Sequence, residues 1–186
     1  MRMMVKQMGF VFNVDLCFGC MACEIACRNE NQTDSTVRWR KVSRLTDDNF
    51  LSVSCNHCNS PECFRVCPEN AFTKRGDGIV QINSDLCTGC GLCIEACPYG
   101  APQYDPITQK ASKCQMCYPR QDKGLPPACV ESCSTEALTF VDLNIFCDKK
   151  MVGTIPGFPD TRLTNPSIAF YPTIERNRYF LKSSNK

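Results

Sequence analysis

The chain has 186 residues, seventeen of them cysteine, and a formal net charge of +2. That length suits one or two domains. The balanced charge leaves no electrostatic footprint for nucleic acid, and no apolar run reaches the roughly 18 residues of a membrane-spanning helix.

Leu, Ile, Val and Phe together supply 41 residues, about 22%, only just above the roughly 20% below which chains tend not to fold unaided. A purely apolar interior would be thin, so something held by the cysteines must serve as interior. Disulfides, zinc and iron–sulfur clusters are the candidates. Disulfides need an oxidising compartment. The opening MRMMVKQMGFVFNVDLC has neither an uninterrupted apolar stretch nor a twin arginine, so export by its own signal is not expected.

In chain order, GFVFNV (9–14) reads as a strand and leads into cysteine group I: Cys17, Cys20, Cys23 and Cys27. VRWRKV (37–42) alternates as a strand does, with Trp39 expected to pack over a cysteine unit and Arg38, Arg40, Lys41 and Arg44 on a solvated face or subunit contact. FLSVS (50–54) precedes group II: Cys55, Cys58, Cys63 and Cys67. FTKRGDGIVQI (72–82) reads as two extended runs around a Gly-Asp-Gly turn, a hairpin signal. Group III follows, Cys87, Cys90, Cys93 and Cys97, then a short run APQY (101–104). Group IV, Cys114, Cys117, Cys129 and Cys133, precedes the strand ALTFVDL (137–143). Cys147 is left over and is expected as a small buried hydrophobe. From Met151 onward prolines, glycines and scattered aromatics (Phe158, Phe170, Tyr171, Tyr179, Phe180) predict an irregular arm. It either wraps a partner subunit or packs back on its own domain.

Groups I and III obey C-x2-C-x2-C-x3-C, and groups II and IV widen only the middle gap. Zinc modules usually bring two separated C-x2-C pairs to one ion. Three thiols within seven residues and a fourth one helical turn later instead suit cubane clusters, with the fourth cysteine serving a neighbouring cluster. The flanking strands pair group II with group III, and group I with group IV around them. Crossing over the fourth cysteine gives four expected ligand sets: Cys17/Cys20/Cys23/Cys133, Cys27/Cys114/Cys117/Cys129, Cys55/Cys58/Cys63/Cys97 and Cys67/Cys87/Cys90/Cys93. The expected fold is α+β, two nested two-cluster ferredoxin-like units of short antiparallel strands, short helices and cluster-binding loops. Residues 1–49 with 105–150 form the outer unit, 50–104 the inserted unit and 151–186 an extended C-terminal arm. Ala71, Ala101 and Ala137, each four residues past a closing cysteine, are expected to let a returning strand pack close to a cluster.

The stretches CNHCNSPECFRVCP, CTGCGLCIEACPYGAP, and KCQMC followed by LPPACVESCSTEAL resemble the iron–sulfur (B) subunit of the dimethyl sulfoxide reductase family of molybdopterin oxidoreductases. The resemblance spans residue 9 to about 143. It implies four [4Fe–4S] clusters arranged as a wire beside a catalytic subunit holding a molybdenum or tungsten bis-pterin. A membrane anchor completes some such complexes. The location it implies is cytoplasmic or membrane-associated through a partner, or exported folded with a partner bearing a twin-arginine signal. Arg28 and Ser134 stand where relatives vary or carry proline, and neither is a ligand.

Each filled site adds a charge of about −2, so nearby cations such as Lys110, Lys113 and Arg120 become candidates for raising cluster potentials. His57, the only histidine, reads as a ligand, a tuner of a cluster, a hydrogen-bond donor to a cluster sulfur or an inert exposed imidazole. Its group already supplies four cysteines. The chain shows no Ser/His/Asp constellation, phosphate loop, dinucleotide fingerprint or paired catalytic carboxylates, and so reads as a non-catalytic conductor of electrons. The rival readings are a stand-alone polyferredoxin, a relay of a formate dehydrogenase or hydrogenase, and a zinc-based structural module.

Overall fold

A computed structural model describes residues 6–45 and 49–174. The elements are β1 (Met8–Asn13), a 3-10 turn (Val14–Leu16), α1 (Ala22–Asn31), β2 (Arg40–Arg44), β3 (Phe50–Ser54), α2 (Glu62–Arg65), β4 (Phe72–Lys74) and β5 (Val80–Ile82). They continue with α3 (Leu92–Ala96), β6 (Gln103–Asp105), β7 (Lys110–Ser112), α4 (Tyr118–Gln121), α5 (Ala128–Glu131), β8 (Leu138–Asp142) and β9 (Ile168–Tyr171). This mixture of short strands and short helices is the ferredoxin-like class expected.

The main sheet has the order β8-β1-β9. β1 pairs antiparallel with β8, from Met8 opposite Asp142 to Phe12 opposite Leu138. Its other edge pairs in parallel with β9, Phe10 opposite Ile168 and Phe12 opposite Phe170. As the central strand, β1 is covered on both faces, so Phe10, Val11 and Phe12 are all buried rather than alternating.

Three two-stranded ribbons, β2-β3, β4-β5 and β6-β7, complete the strand pairings. The β4-β5 hairpin turns through Arg75–Ile79 as its Gly-Asp-Gly signal predicts. The strands flanking the inserted unit behave differently from the expected layout. β3 pairs with β2 and β6 pairs with β7, so the expected boundaries at 50 and 104 each cut through a paired ribbon. A short strand whose partner lies a few residues away closes a ribbon at less entropic cost than one with a distant partner.

The principal core gathers Phe10, Phe12, Met116, Leu138, Ile155, Ile168 and Phe170 around Cys23, Cys27 and Cys129. Two smaller clusters consist of Cys63, Phe72, Val80, Cys93 and Ala111, and of Cys55, Ala101 and Cys114. Thiols thus make up a large share of the interior away from the main sheet.

The tail departs from the irregular arm anticipated for it. Over its described part, β9 closes the free edge of β1, which would otherwise present unpaired backbone groups. Phe158 meets Phe170 edge-on at 4.9 Å and stacks on Tyr99 at 5.3 Å. Phe158 and Phe170 therefore serve this chain's own core. Tyr179 and Phe180 lie outside the described residues.

Candidate metal centres

The closing C-x3-C of every group starts on or beside a helix. α1 carries both Cys23 and Cys27, α2 carries Cys63 ahead of Cys67, α3 carries Cys93 ahead of Cys97, and α5 carries Cys129 ahead of Cys133. Four residues advance a helix by about 6 Å while returning to the same face. One helix can therefore present one thiol to each of two adjacent sites.

All seventeen cysteines are free thiols, and Cys147, anticipated as buried, is exposed. It sits just ahead of the polar turn Asp148, Lys149 and Lys150, which brings no apolar cover to it. Cys55, Cys58, Cys63 and Cys97 wall one small cavity, together with His57, Tyr99, Ala101 and Thr164. Cys67, Cys87, Cys90 and Cys93 wall another, with Ala71, Phe72 and Ala111. Each cavity takes three cysteines from one group and one from the other.

The outer groups are mixed in the same way. Burial raises the Cys17 thiol above its usual range, and the thiols adding to that effect are Cys23, Cys133 and Cys20. Burial likewise pushes Cys27 up, with Cys114, Cys129 and Cys117 as its thiol neighbours and Arg40 opposing them. Burial pushes Cys58 and Cys63 up to about 12, and Cys93 and Cys114 up to about 11. The protein by itself disfavours thiolate at these positions, so a thiolate there calls for a positively charged partner.

The donor set fits clusters better than single ions. A zinc ion with its 2.3 Å bonds needs thiolates within about 4 Å of one another, whereas a cubane holds its four corners further apart and takes three thiolates from one run and the fourth from another, the division each of the two cavities shows. Backbone N–H groups also aim at sulfur. Ala71 N donates to Cys67 Sγ at 3.4 Å and Met116 N to Cys114 Sγ at 3.3 Å. Ala71, Ala101 and Ala137 are all buried, as the close approach of their strands requires.

The polar surroundings were only partly legible beforehand. His57 is 0% exposed, so the inert exposed imidazole is ruled out. Its Nδ1 accepts from Val80 N at 3.0 Å, which puts the neutral ring's proton on Nε2. Burial, then Lys113, holds its pKa well below the ordinary value. Nε2 is buried without a protein partner, as are both side-chain polar atoms of Asn56. Orphaned buried donors are uncommon in folded chains; here they sit in the loop between Cys55 and Cys58. The loop itself is held by the tail: Ser167 N donates to Asn56 O at 2.8 Å, and Ser167 Oγ to His57 O at 2.9 Å. The Thr164 hydroxyl, bonded to Tyr99 Oη at 2.6 Å, reaches the Cys58 thiol.

The three cations singled out near group IV separate. Lys113 is 4% exposed and donates to Val80 O and Cys114 O. Arg120 is paired with Glu30 and Glu131, and Lys110 donates to Ser84 O near the surface. Trp39 packs against Cys55, Ala101 and Cys114 as expected, with Nε1 donating to Ser112 Oγ at 3.1 Å. Arg40 contradicts its solvated-face assignment by being fully enclosed. β2 begins at Arg40 rather than at Val37, so this side chain takes the inward-facing place. Burial works against its charge, but the thiols of Cys129, Cys114, Cys23 and Cys27 together raise its pKa above the ordinary value.

Residues 46–143 match the 4Fe-4S dicluster domain family, and residues 14–30 match a 4Fe-4S binding domain. The B chain of the anaerobic dimethyl sulfoxide reductase of Escherichia coli (strain K12) is 37% identical over 185 residues, spanning 91% of this chain and 90% of that one. The chain belongs to this family of iron–sulfur B chains. The B chain of the polysulfide reductase of Wolinella succinogenes is 44% identical over 151 residues, 76% of this chain and 79% of its own length. The B subunit of the tetrathionate reductase of Salmonella typhimurium is 43% identical over 126 residues, 63% of this chain and 50% of that one. Membership makes this an iron–sulfur electron-transfer subunit of the molybdoenzyme class, and among the described residues no helix is long and apolar enough to cross a membrane.

Proposed function

We propose that the chain carries four [4Fe–4S] clusters as a wire between a redox pool or membrane anchor and a molybdopterin catalytic subunit. The clusters belong to two nested two-cluster units, 1–49 with 105–150 around 50–104. The ligand sets are Cys17/Cys20/Cys23/Cys133, Cys27/Cys114/Cys117/Cys129, Cys55/Cys58/Cys63/Cys97 and Cys67/Cys87/Cys90/Cys93. The observation that carries this reading is the pair of similar cavities, each walled by three cysteines of one group and the fourth of its partner group. When bound, each cluster takes up and releases one electron.

A serial order is favoured by shared elements. α1 spans the first two sites through Cys23 and Cys27. The second and third approach where Cys55 acts on the Cys114 thiol. α2 and α3, which pack together, span the third and fourth. The first and last sites each hold an exposed cysteine, Cys20 and Cys90. Exposed apolar side chains flank both: Phe18, Met21 and Ile25 at one end, Leu86, Leu92 and Ile107 at the other. Such surface suits subunit contact at the two points where electrons must enter and leave. The chain's own residues hold, space and electrostatically bias the clusters; bond-making chemistry belongs to the partner.

Anaerobic purification of the intact complex tests this. About sixteen irons per chain should accompany stoichiometric molybdenum or tungsten. Cys133→Ala should disturb the site built on group I. If it perturbs only a site built on group IV, the crossover is wrong, and if no molybdenum or tungsten accompanies the chain, a stand-alone polyferredoxin is the better reading.

A further inference from the structure

Arg40 is 2% exposed and forms no ion pair with any described carboxylate. A guanidinium does not shed its proton, so burying one requires anionic company. Nη1 donates to Ser52 Oγ at 3.1 Å and Nη2 to Ser54 Oγ at 2.9 Å, while the Phe10 ring lies 4.6 Å beneath. Nε is buried without a partner. Neutral hydroxyls and a ring face do not balance a full charge.

The placement is enforced from both sides. Glu24, on α1 between Cys23 and Cys27, accepts from Arg38 Nη1 at 3.0 Å and from Val42 N at 3.0 Å. Those residues stand two before and two after Arg40, so the carboxylate clamps β2 against the cysteine-bearing helix with Arg40 in the middle. Ser52 Oγ lies 3.4 Å from Cys23 Sγ. Because a guanidinium only donates, Ser52 accepts from Arg40 and keeps its own hydrogen for the Cys23 sulfur.

We propose, resting on the four-cluster reading above, that Arg40 is the shared counter-cation of two adjacent cluster sites, one containing Cys23 and the other Cys27 and Cys129, thiols that share one buried core with the Phe10 ring beneath the guanidinium, and that it holds both reduction potentials up together. Adding an electron makes a cluster more negative, and a fixed cation in a low-dielectric interior stabilises the reduced form more than the oxidised one. Two neighbouring sites then share one electrostatic control. The Ser52 hydrogen bond adds to it at the Cys23 site alone.

The test is a redox titration of the intact, anaerobically prepared complex followed by electron paramagnetic resonance, with iron analysis of each variant. Arg40→Met should lower the reduction equilibrium constant of two clusters at least tenfold, about 59 mV for a one-electron couple, and leave the other two in place. Arg40→Lys should restore most of the shift, because charge is kept while the two-pronged hydrogen bonding is lost. Ser52→Ala should move one potential only, in the same direction and by less. If Arg40→Met loses iron, Arg40→Gln, which keeps hydrogen-bond donors but removes the charge, decides in its place. Full iron with all four potentials unmoved in the charge-removing variant overturns the role of Arg40 while leaving the four-cluster wire intact. A wild-type complex with far fewer than sixteen irons overturns both.

Discussion

In the proposed nested arrangement, the outer and inserted halves of the molecule keep their sites in place by different means. The outer half has a three-stranded sheet whose central strand is buried on both faces, and a core rich in phenylalanine. The inserted half has one ribbon of its own, β4-β5, two more whose second strand lies outside its bounds, and a small cluster in which two of the five buried members are cysteines. Such ribbons are marginal without a packed face. The outer half can stand on hydrocarbon, with its clusters embedded in it. The inserted half must use its clusters as the core.

The most severe way to test that contrast is to remove the metal. Chelating iron from the anaerobic protein should strip amide-exchange protection from β4, β5 and the flanking loops by about a hundredfold or more, as expected of a unit whose interior has been withdrawn. Protection along β1, β8 and β9 should persist. Equal loss in both halves would mean that the clusters hold the entire chain as one cooperative unit.

Next in size is an attack on the hydrocarbon side. Phe170 is wholly buried, faces β1 and meets Phe158. Phe170→Ala should cost about 3–5 kcal/mol, read as an early thermal transition confined to the outer sheet. Cluster absorption from the inserted half should be preserved until the later transition. A single unchanged melt would deny the sheet its independent role.

Two glycines in equivalent loop positions sharpen the comparison further. Gly19 and Gly89, each just before the second cysteine of its group, have φ of +78° and +75°. A Cβ on Gly19 would meet the Phe50 ring at 2.6 Å, whereas one on Gly89 would meet the Gln109 carbonyl at 2.3 Å. A ring at a strand end can rotate, but backbone cannot. Both substitutions carry the left-handed penalty of about 1–2 kcal/mol. Gly89→Ala should therefore lose cluster occupancy in the inserted half, while Gly19→Ala should retain most iron. Iron per chain after desalting distinguishes them, and equal retention would undo the argument from rigidity.

What the sequence disclosed follows from which constraints are local. Cysteine spacing is local, since a C-x2-C loop and a one-turn C-x3-C helix are written in consecutive residues, and so is the Gly-Asp-Gly hairpin. β1, β3 and β8 were likewise legible from short apolar runs. β9 was not, because IAFY lies in a proline-rich tail and becomes a strand only through the free edge of β1. Arg40 was hidden for a similar reason: in RWRKV basic residues fall on both faces of the strand, and periodicity alone cannot tell which of them turns inward. A pattern that marks a solvated strand can also conceal one buried cation. Thr164 reaches Cys58 across more than a hundred residues of sequence, and no pattern in either segment announces the other.

The Thr164 contact supplies the gentlest perturbation. Thr164 is buried, bonds Tyr99 Oη at 2.6 Å and places its hydroxyl on the Cys58 thiol. It thereby links the tail, anchored in the outer sheet through β9, to a cavity of the inserted half. Thr164→Val keeps the shape and removes both bonds, at about 1 kcal/mol for a buried hydroxyl network. The loss should fall on the inserted half, as slightly faster cluster release on mild oxidation, without moving the outer sheet's thermal transition. Tyr99→Phe removes only the more distant of the two bonds and leaves the hydroxyl on Cys58, so its effect should be smaller. If Tyr99→Phe proves the more damaging variant, the tail acts by packing Phe158 on the Tyr99 ring rather than by hydrogen bonding to sulfur, and the two halves are coupled through hydrocarbon after all.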